Sequence, residues 1–167
     1  MADCPRVLKS LQRFNIFAVK KNVMIPLSHF HPLSVHFPIA LIVVAFMFDL
    51  VSMICKKEPC LSKAGYYLQI LGMLAAIAAW GTGHFIAGTT SMEGEAMQVK
   101  EQHELFATMA LVSVVVATIA RLILVYQKTE NTLYKYIPFG LSLLSVIFIT
   151  ITGYLGGKLV IDFMIGI

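Results

Sequence analysis

The chain has 167 residues and a formal net charge of +4; 58% of its residues are hydrophobic and 13% charged. A soluble domain carries about 25% charged residues, so this composition cannot cover a water-exposed surface and leaves much of the surface to lipid. The positive charge is scattered, with no basic stripe interleaved with aromatics, which argues against nucleic acid and suits membrane topology and anionic headgroups.

Residues 1–30 read as a basic amphipathic tail. They hold no continuous apolar stretch behind a basic start, so no cleavable signal peptide is expected. Between residues 6 and 21, Val7, Leu8, Leu11, Phe14, Phe17 and Ala18 interleave with Arg6, Lys9, Arg13, Lys20 and Lys21. That pattern predicts a helix lying in the membrane interface; a partly ordered basic tail is the alternative.

Residues 31–167 form the transmembrane domain. A helix crossing the hydrocarbon layer needs about 20 apolar residues. Four stretches satisfy this, at about 33–55, 65–88, 103–126 and 137–157. Helices are expected because backbone groups in lipid must be satisfied within the segment. The connections, at 56–64, 89–102 and 127–136, are short, which forces antiparallel neighbours. The expected fold is therefore all-α, an up-and-down four-helix bundle. The middle connection is an acidic loop holding Glu93, Glu95 and Glu101, while Lys56, Lys57, Lys63, Lys128 and Lys135 gather at the opposite end. Basic loops prefer the cytoplasm, which places the acidic end outside; the basic N-terminal tail argues the other way.

Three cysteines, Cys4, Cys55 and Cys60, make no disulfide framework. No Cys-x-x-Cys-His sequence occurs, so covalent haem attachment is not expected. Cys55 and Cys60 alone supply too few ligands for zinc.

Small residues line the second span, with Gly72 and Ala76 in one row and Ala75, Ala79 and Gly83 in another; Gly153, Gly156 and Gly157 follow in the fourth. Such rows bring helices close in lipid, and they also leave room beside a flat cofactor. The chain further reads as two related hairpins. His36 opens the first and Thr82-Gly83-His84 closes it; His103 opens the second and Thr152-Gly153-Tyr154 closes it, at offsets of 67 and 70 residues. A parallel duplication would set these positions around one pseudo-twofold axis.

All five histidines, His29, His31, His36, His84 and His103, fall at one end of the bundle. An ionisable residue inside a membrane is a functional-site hypothesis by default. Two neutral imidazoles on facing helices are what a non-covalent haem b requires. The expected metal ligands are two of His36, His103 and His84, with His36 and His103 meeting across the diagonal. His31 is a further candidate, for a propionate or for a second haem shared with His84. Tyr154 could hydrogen-bond a cofactor edge, and Gly153 and Gly156 could flank it. The bland alternative is that each histidine is an ordinary interfacial residue. Asp49 and Arg121 stand in apolar stretches nearer the other end; they either pair or, the reading favoured here, Arg121 snorkels to the basic face.

His31-Pro32-Leu33-Ser34-Val35-His36-Phe37-Pro38-Ile39 resembles the opening signature of the four-span membrane family DUF2231. His103 resembles the family's third histidine, and Thr152 to Val160 resembles its closing glycine motif. The resemblance covers about residues 29–167. Members are often found with, or fused to, c-type cytochrome modules, which implies a redox setting and an extracytoplasmic histidine end. Relatives often carry histidine where Tyr154 stands and a His-Gly pair where Phe163 and Met164 stand; these departures put a second cofactor on the fourth span in doubt and leave His31, His36 and His103 intact.

The expected function is a b-type cytochrome-like subunit of the inner (cytoplasmic) membrane, with one haem b or two. It would carry electrons between a quinone pool or a partner subunit of a membrane redox complex and an extracytoplasmic protein such as a c-type cytochrome. It would be a carrier rather than a stand-alone catalyst. The alternatives are a cofactor-free structural subunit and a copper or zinc carrier using His29, His31 and His36.

Overall fold

The computed structural model describes residues 31, 34–55, 59–85, 92–127 and 132–163. The interfacial helix expected over 6–21, and His29, lie outside the described residues. Four helices are found: α1 (His36–Ile54), α2 (Pro59–Phe85), α3 (Glu95–Tyr126) and α4 (Thr132–Phe163). Each is long and apolar enough to cross a membrane, and no strand occurs among the described residues. Sequence neighbours pack most extensively, α1 on α2 and α3 on α4, while α1–α4 and α2–α3 contacts close the ring. This is the expected up-and-down arrangement, with α1 diagonal to α3.

Two helices outrun their expected spans. The 32 residues of α3 reach about 48 Å at the standard rise, well beyond the hydrocarbon layer. Much of the acidic loop is therefore helix, with Glu95 and Glu101 in the first turns of α3. Hydropathy marks where lipid ends, not where helix ends, and Glu, Ala, Met, Gln and Lys are all good helix formers. The helix starts where Gly94, at φ 62°, turns the chain in a conformation that side chains disfavour. At this end Val99, Leu155 and Leu159 join α3 to α4 in a cluster of their own.

The buried faces reveal the duplication. In α1 they are Pro38, Ile42, Ala45 and Asp49; in α3, Ala110, Val114 and Ala117 are buried and Arg121 continues the row. Every position of the first series lies 72 residues before its mate, the separation of Asp49 from Arg121. In α2 and α4 the buried Gly65, Gln69 and Gly72 match Pro138, Ser142 and Ser145, at the separation of 73 that divides Gln69 from Ser142. The two hairpins are thus related in register by 72 and 73 rather than by the expected 67 and 70. His31, not His36, is the mate of His103.

The outer faces carry a belt of exposed apolar side chains, among them Val44, Leu74, Val116, Ile119, Leu143 and Ile147. Bilayer contact follows from that belt and from the lengths of the helices. Inside, Ile42, Ala110, Val114 and Ile149 form the core. Gly72 lets α2 close on α1: a Cβ there would stand 2.8 Å from Ile42 Cγ1.

Candidate functional site: a histidine pair on the pseudo-twofold axis

Residues that meet their own symmetry mates must lie on the axis, and three such pairs do. Gln69 donates to Ser142 Oγ at 3.2 Å. Asp49 and Arg121 form a fork-to-fork ion pair, with Arg121 Nη2 at 2.6 Å from Asp49 Oδ1 and Nη1 bonded to Oδ2. His31 and His103 approach with ring centroids 6.4 Å apart and planes at 87°.

The histidine pair is built the same way twice. A Cβ on Gly83 would stand 2.7 Å from His31 Cε1, and one on Gly156, the mate of Gly83, would stand 3.1 Å from His103 Cε1. A side chain at Gly83 would push the His31 ring aside, and one at Gly156 would crowd the His103 ring. A backbone bond fixes one tautomer. His103 Nδ1 lies 3.0 Å from Thr152 O, a carbonyl that can only accept. Thr82 Oγ1 lies 2.9 Å from Ala79 O and 3.2 Å from His31 Nδ1. Ser34 gives its own proton to His31 O, starting the helical turn that leads into α1. Ala79 and Thr152 are again mates. His103 thus donates from Nδ1, whereas the Thr82 hydroxyl can pair with either form of His31 Nδ1.

Burial pushes the His31 pKa below its ordinary value, the nearby His103 adds to this, and a backbone bond to Ala79 opposes it. A neutral ring with a free lone pair is the form that binds a Lewis acid. Metal-bound histidines characteristically donate their other N–H to a carbonyl or similar acceptor, as His103 does here.

The family DUF2231, described as "Predicted membrane protein", matches residues 27–167. This chain belongs to it. No curated protein and no solved structure is detectably similar.

Within this DUF2231 chain the other expected site residues fall elsewhere. His36 is exposed and is not brought beside His103, because the first hairpin's register places His31 there. His84 is exposed and stacks on Trp80 at 5.1 Å and 4°. Tyr154 is 72% exposed. Gly156 seats His103, whereas Gly153 faces Ile39 Cδ1 at 3.5 Å. No group of three or more His, Cys, Asp or Glu able to hold a metal occurs among the described residues.

The far end corrects the snorkelling expectation. Arg121 turns inward, where Asp49, Gln69 Oε1 and the Ser62 carbonyl accept its protons. Gly65 makes room, since a Cβ there would strike Asp49 Oδ1 at 2.6 Å. Neutralisation on the axis replaces a stretch to the surface. The signal for it was an Asp and an Arg at equal register in the two repeats.

Proposed function

We propose that this protein is a membrane-embedded electron-transfer subunit whose haem b is held by His31 and His103. The observation that carries this reading is the pair itself. Two symmetry-related imidazoles share the axis, each held by a hydrogen bond at Nδ1, to Thr82 and to Thr152 O. The ring centroids stand 6.4 Å apart, a separation at which two imidazole side chains could hold one metal between them. A haem iron would supply one-electron redox chemistry. The chain's own part is to hold two neutral rings in place and to keep the site inside a lipid-facing bundle. Gly83, Gly156 and the Nδ1 bonds do the first, and the belt of apolar side chains does the second. The absence of a Cys-x-x-Cys-His sequence fits a non-covalent group.

In this reading the bundle sits in the inner (cytoplasmic) membrane with its histidine end outside. It exchanges electrons with a quinone pool or a partner subunit on one side and a soluble redox protein on the other. Glu93, Glu95, Glu101 and Glu104 stand exposed near that end. They suit a basic partner such as a c-type cytochrome by charge complementarity.

The test is a reduced-minus-oxidised spectrum of purified protein, wild type and with each histidine replaced by alanine. A b-type signal lost in His31→Ala and His103→Ala, and kept in His29→Ala, His36→Ala and His84→Ala, is the expected result. A wild-type protein saturated with haem that shows no such signal refutes the proposal and leaves a cofactor-free structural subunit.

A further inference from the structure

The two imidazoles are not held alike. Ala79 and Thr152 are symmetry mates, each one helical turn before the glycine that stands against its ring, Gly83 or Gly156. In the second hairpin His103 Nδ1 meets the Thr152 carbonyl directly, at 3.0 Å. In the first a hydroxyl joins the contact: Thr82 Oγ1 lies 2.9 Å from Ala79 O and 3.2 Å from His31 Nδ1. Ser34 Oγ stands 3.4 Å from Thr82 Oγ1 and 3.0 Å from His31 O. The mates of Ser34 and Thr82 are Phe106 and Leu155, and Phe106 packs against the apolar cluster that holds Leu155. The second hairpin therefore builds the same corner without hydroxyls. Packing does not require them, and the first hairpin carries two beside His31.

A count of protons gives these hydroxyls a role. Each has one proton, and a carbonyl can only accept. Ser34 gives its proton to His31 O and Thr82 gives its proton to Ala79 O. Neither has another to give, so the bond between Thr82 and His31 takes its proton from the ring. We propose that Thr82 is a positioning residue of the histidine site, whose hydroxyl holds His31 in the form with the proton on Nδ1 and the lone pair on Nε2. That is the neutral form with which Nε2 can bind a metal. The Thr152 carbonyl imposes the same form on His103 from the backbone, so Thr82 is the side chain through which the pair is set. The inference rests on the redox reading for the group that binds at Nε2; the place of the proton on His31 does not.

The test uses full-length protein in nanodiscs with His29→Ala, His36→Ala and His84→Ala, which leaves His31 and His103 as its only histidines. Nitrogen NMR of isotope-labelled histidine, at mildly alkaline pH and without haem, reads which nitrogen of each ring is protonated. Both rings are expected in the Nδ1–H form. Thr82→Val keeps the shape and removes the hydroxyl; it should move His31 to the Nε2–H form and leave His103 unchanged, and Thr82→Ser should restore the wild-type spectrum. Haem titration of the same proteins should show binding about fivefold weaker in Thr82→Val, the loss of one hydrogen bond, and near wild type in Thr82→Ser. A wild-type His31 protonated on Nε2 overturns the proposal, and this reading stands even where Thr82→Val does not fold. A His31 that keeps its Nδ1 proton in Thr82→Val also overturns it, and assigns the holding to the Ala79 carbonyl. A b-type spectrum with an unmoved proton refutes the role of Thr82 alone. A proton that moves in Thr82→Val, in a protein that takes up no haem, supports that role and refutes the electron-transfer reading.

Discussion

Exchanging the charges of Asp49 and Arg121 tests the axis directly. Their side chains are each only 12% exposed, and breaking a buried pair by removing one partner costs about 3–5 kcal/mol. Asp49→Arg places two guanidiniums where the structure has a fork and a carboxylate; Arg121→Asp places two carboxylates there. Were the two effects independent, their sum would be about 6–10 kcal/mol, enough to unfold a protein of ordinary stability. Because the positions are symmetry mates, the double variant rebuilds the pair with its ends exchanged. The expected residual cost is about 1–3 kcal/mol, from the hydrogen bonds Arg121 now gives to Gln69 Oε1 and Ser62 O. Unfolding in detergent micelles with added dodecyl sulfate, followed by Trp80 fluorescence, reads all four proteins. A double variant no more stable than the weaker single variant would show that the two sites are not equivalent and that the pair does not join the hairpins.

Gly83→Ala and Gly156→Ala should each displace an imidazole. Gly83→Ala is the more severe because its Cβ would come to 2.7 Å rather than 3.1 Å from the ring; the haem spectrum and its midpoint potential are the readouts. Trp80→Phe removes the bond to Thr108 Oγ1 and should cost about 0.5–1.5 kcal/mol, with unfolding followed by loss of helical circular dichroism because the chain's single tryptophan is gone; Thr108→Val in the Trp80→Phe background should add little. Cys55 and Cys60 are free and exposed at the basic end. With Cys4 changed to serine, a membrane-impermeant maleimide should label them only from the cytoplasmic side; labelling of intact cells would reverse the proposed orientation.

The bundle was legible because its signal is long-range and coarse: four apolar stretches with short connections admit few folds. Helix ends were less so, since Glu95 and Glu101 continue a helix that hydropathy places outside the membrane. The duplication was visible as a pattern but not in register. Matching His36 with His103 aligns residue types by their place at the head of a span. The structure aligns buried faces, and Ala45 with Ala117 or Ile42 with Val114 are too ordinary to stand out by eye. Asp49 and Arg121 held better information. Two costly charges in apolar stretches, at one register of two repeats, should have been weighed as partners before snorkelling. The glycines were ambiguous for a physical reason. Gly72, Gly83 and Gly157 look alike in a helix, and only the neighbouring helix decides whether the missing Cβ admits a backbone, an imidazole or nothing.

Duplication explains why chemistry gathers at the centre of this fold. A pseudo-twofold axis brings each axial residue toward its own mate, as it does His31 and His103. The same rule makes a charged residue face its own copy, which like charges in lipid cannot tolerate. Divergence to Asp49 on one side and Arg121 on the other removes that conflict, whereas two neutral imidazoles need no such change to share a metal. Away from the axis the constraint lapses, and the repeats are free to differ. There the second hairpin lengthens into the acidic end, and Trp80 and His84 stack on α2 where α4 has Gly153 and Gly157. The symmetric part of the molecule is thus suited to holding one central group. The asymmetric part holds what distinguishes the hairpins, the Trp80–His84 stack and the acidic start of α3.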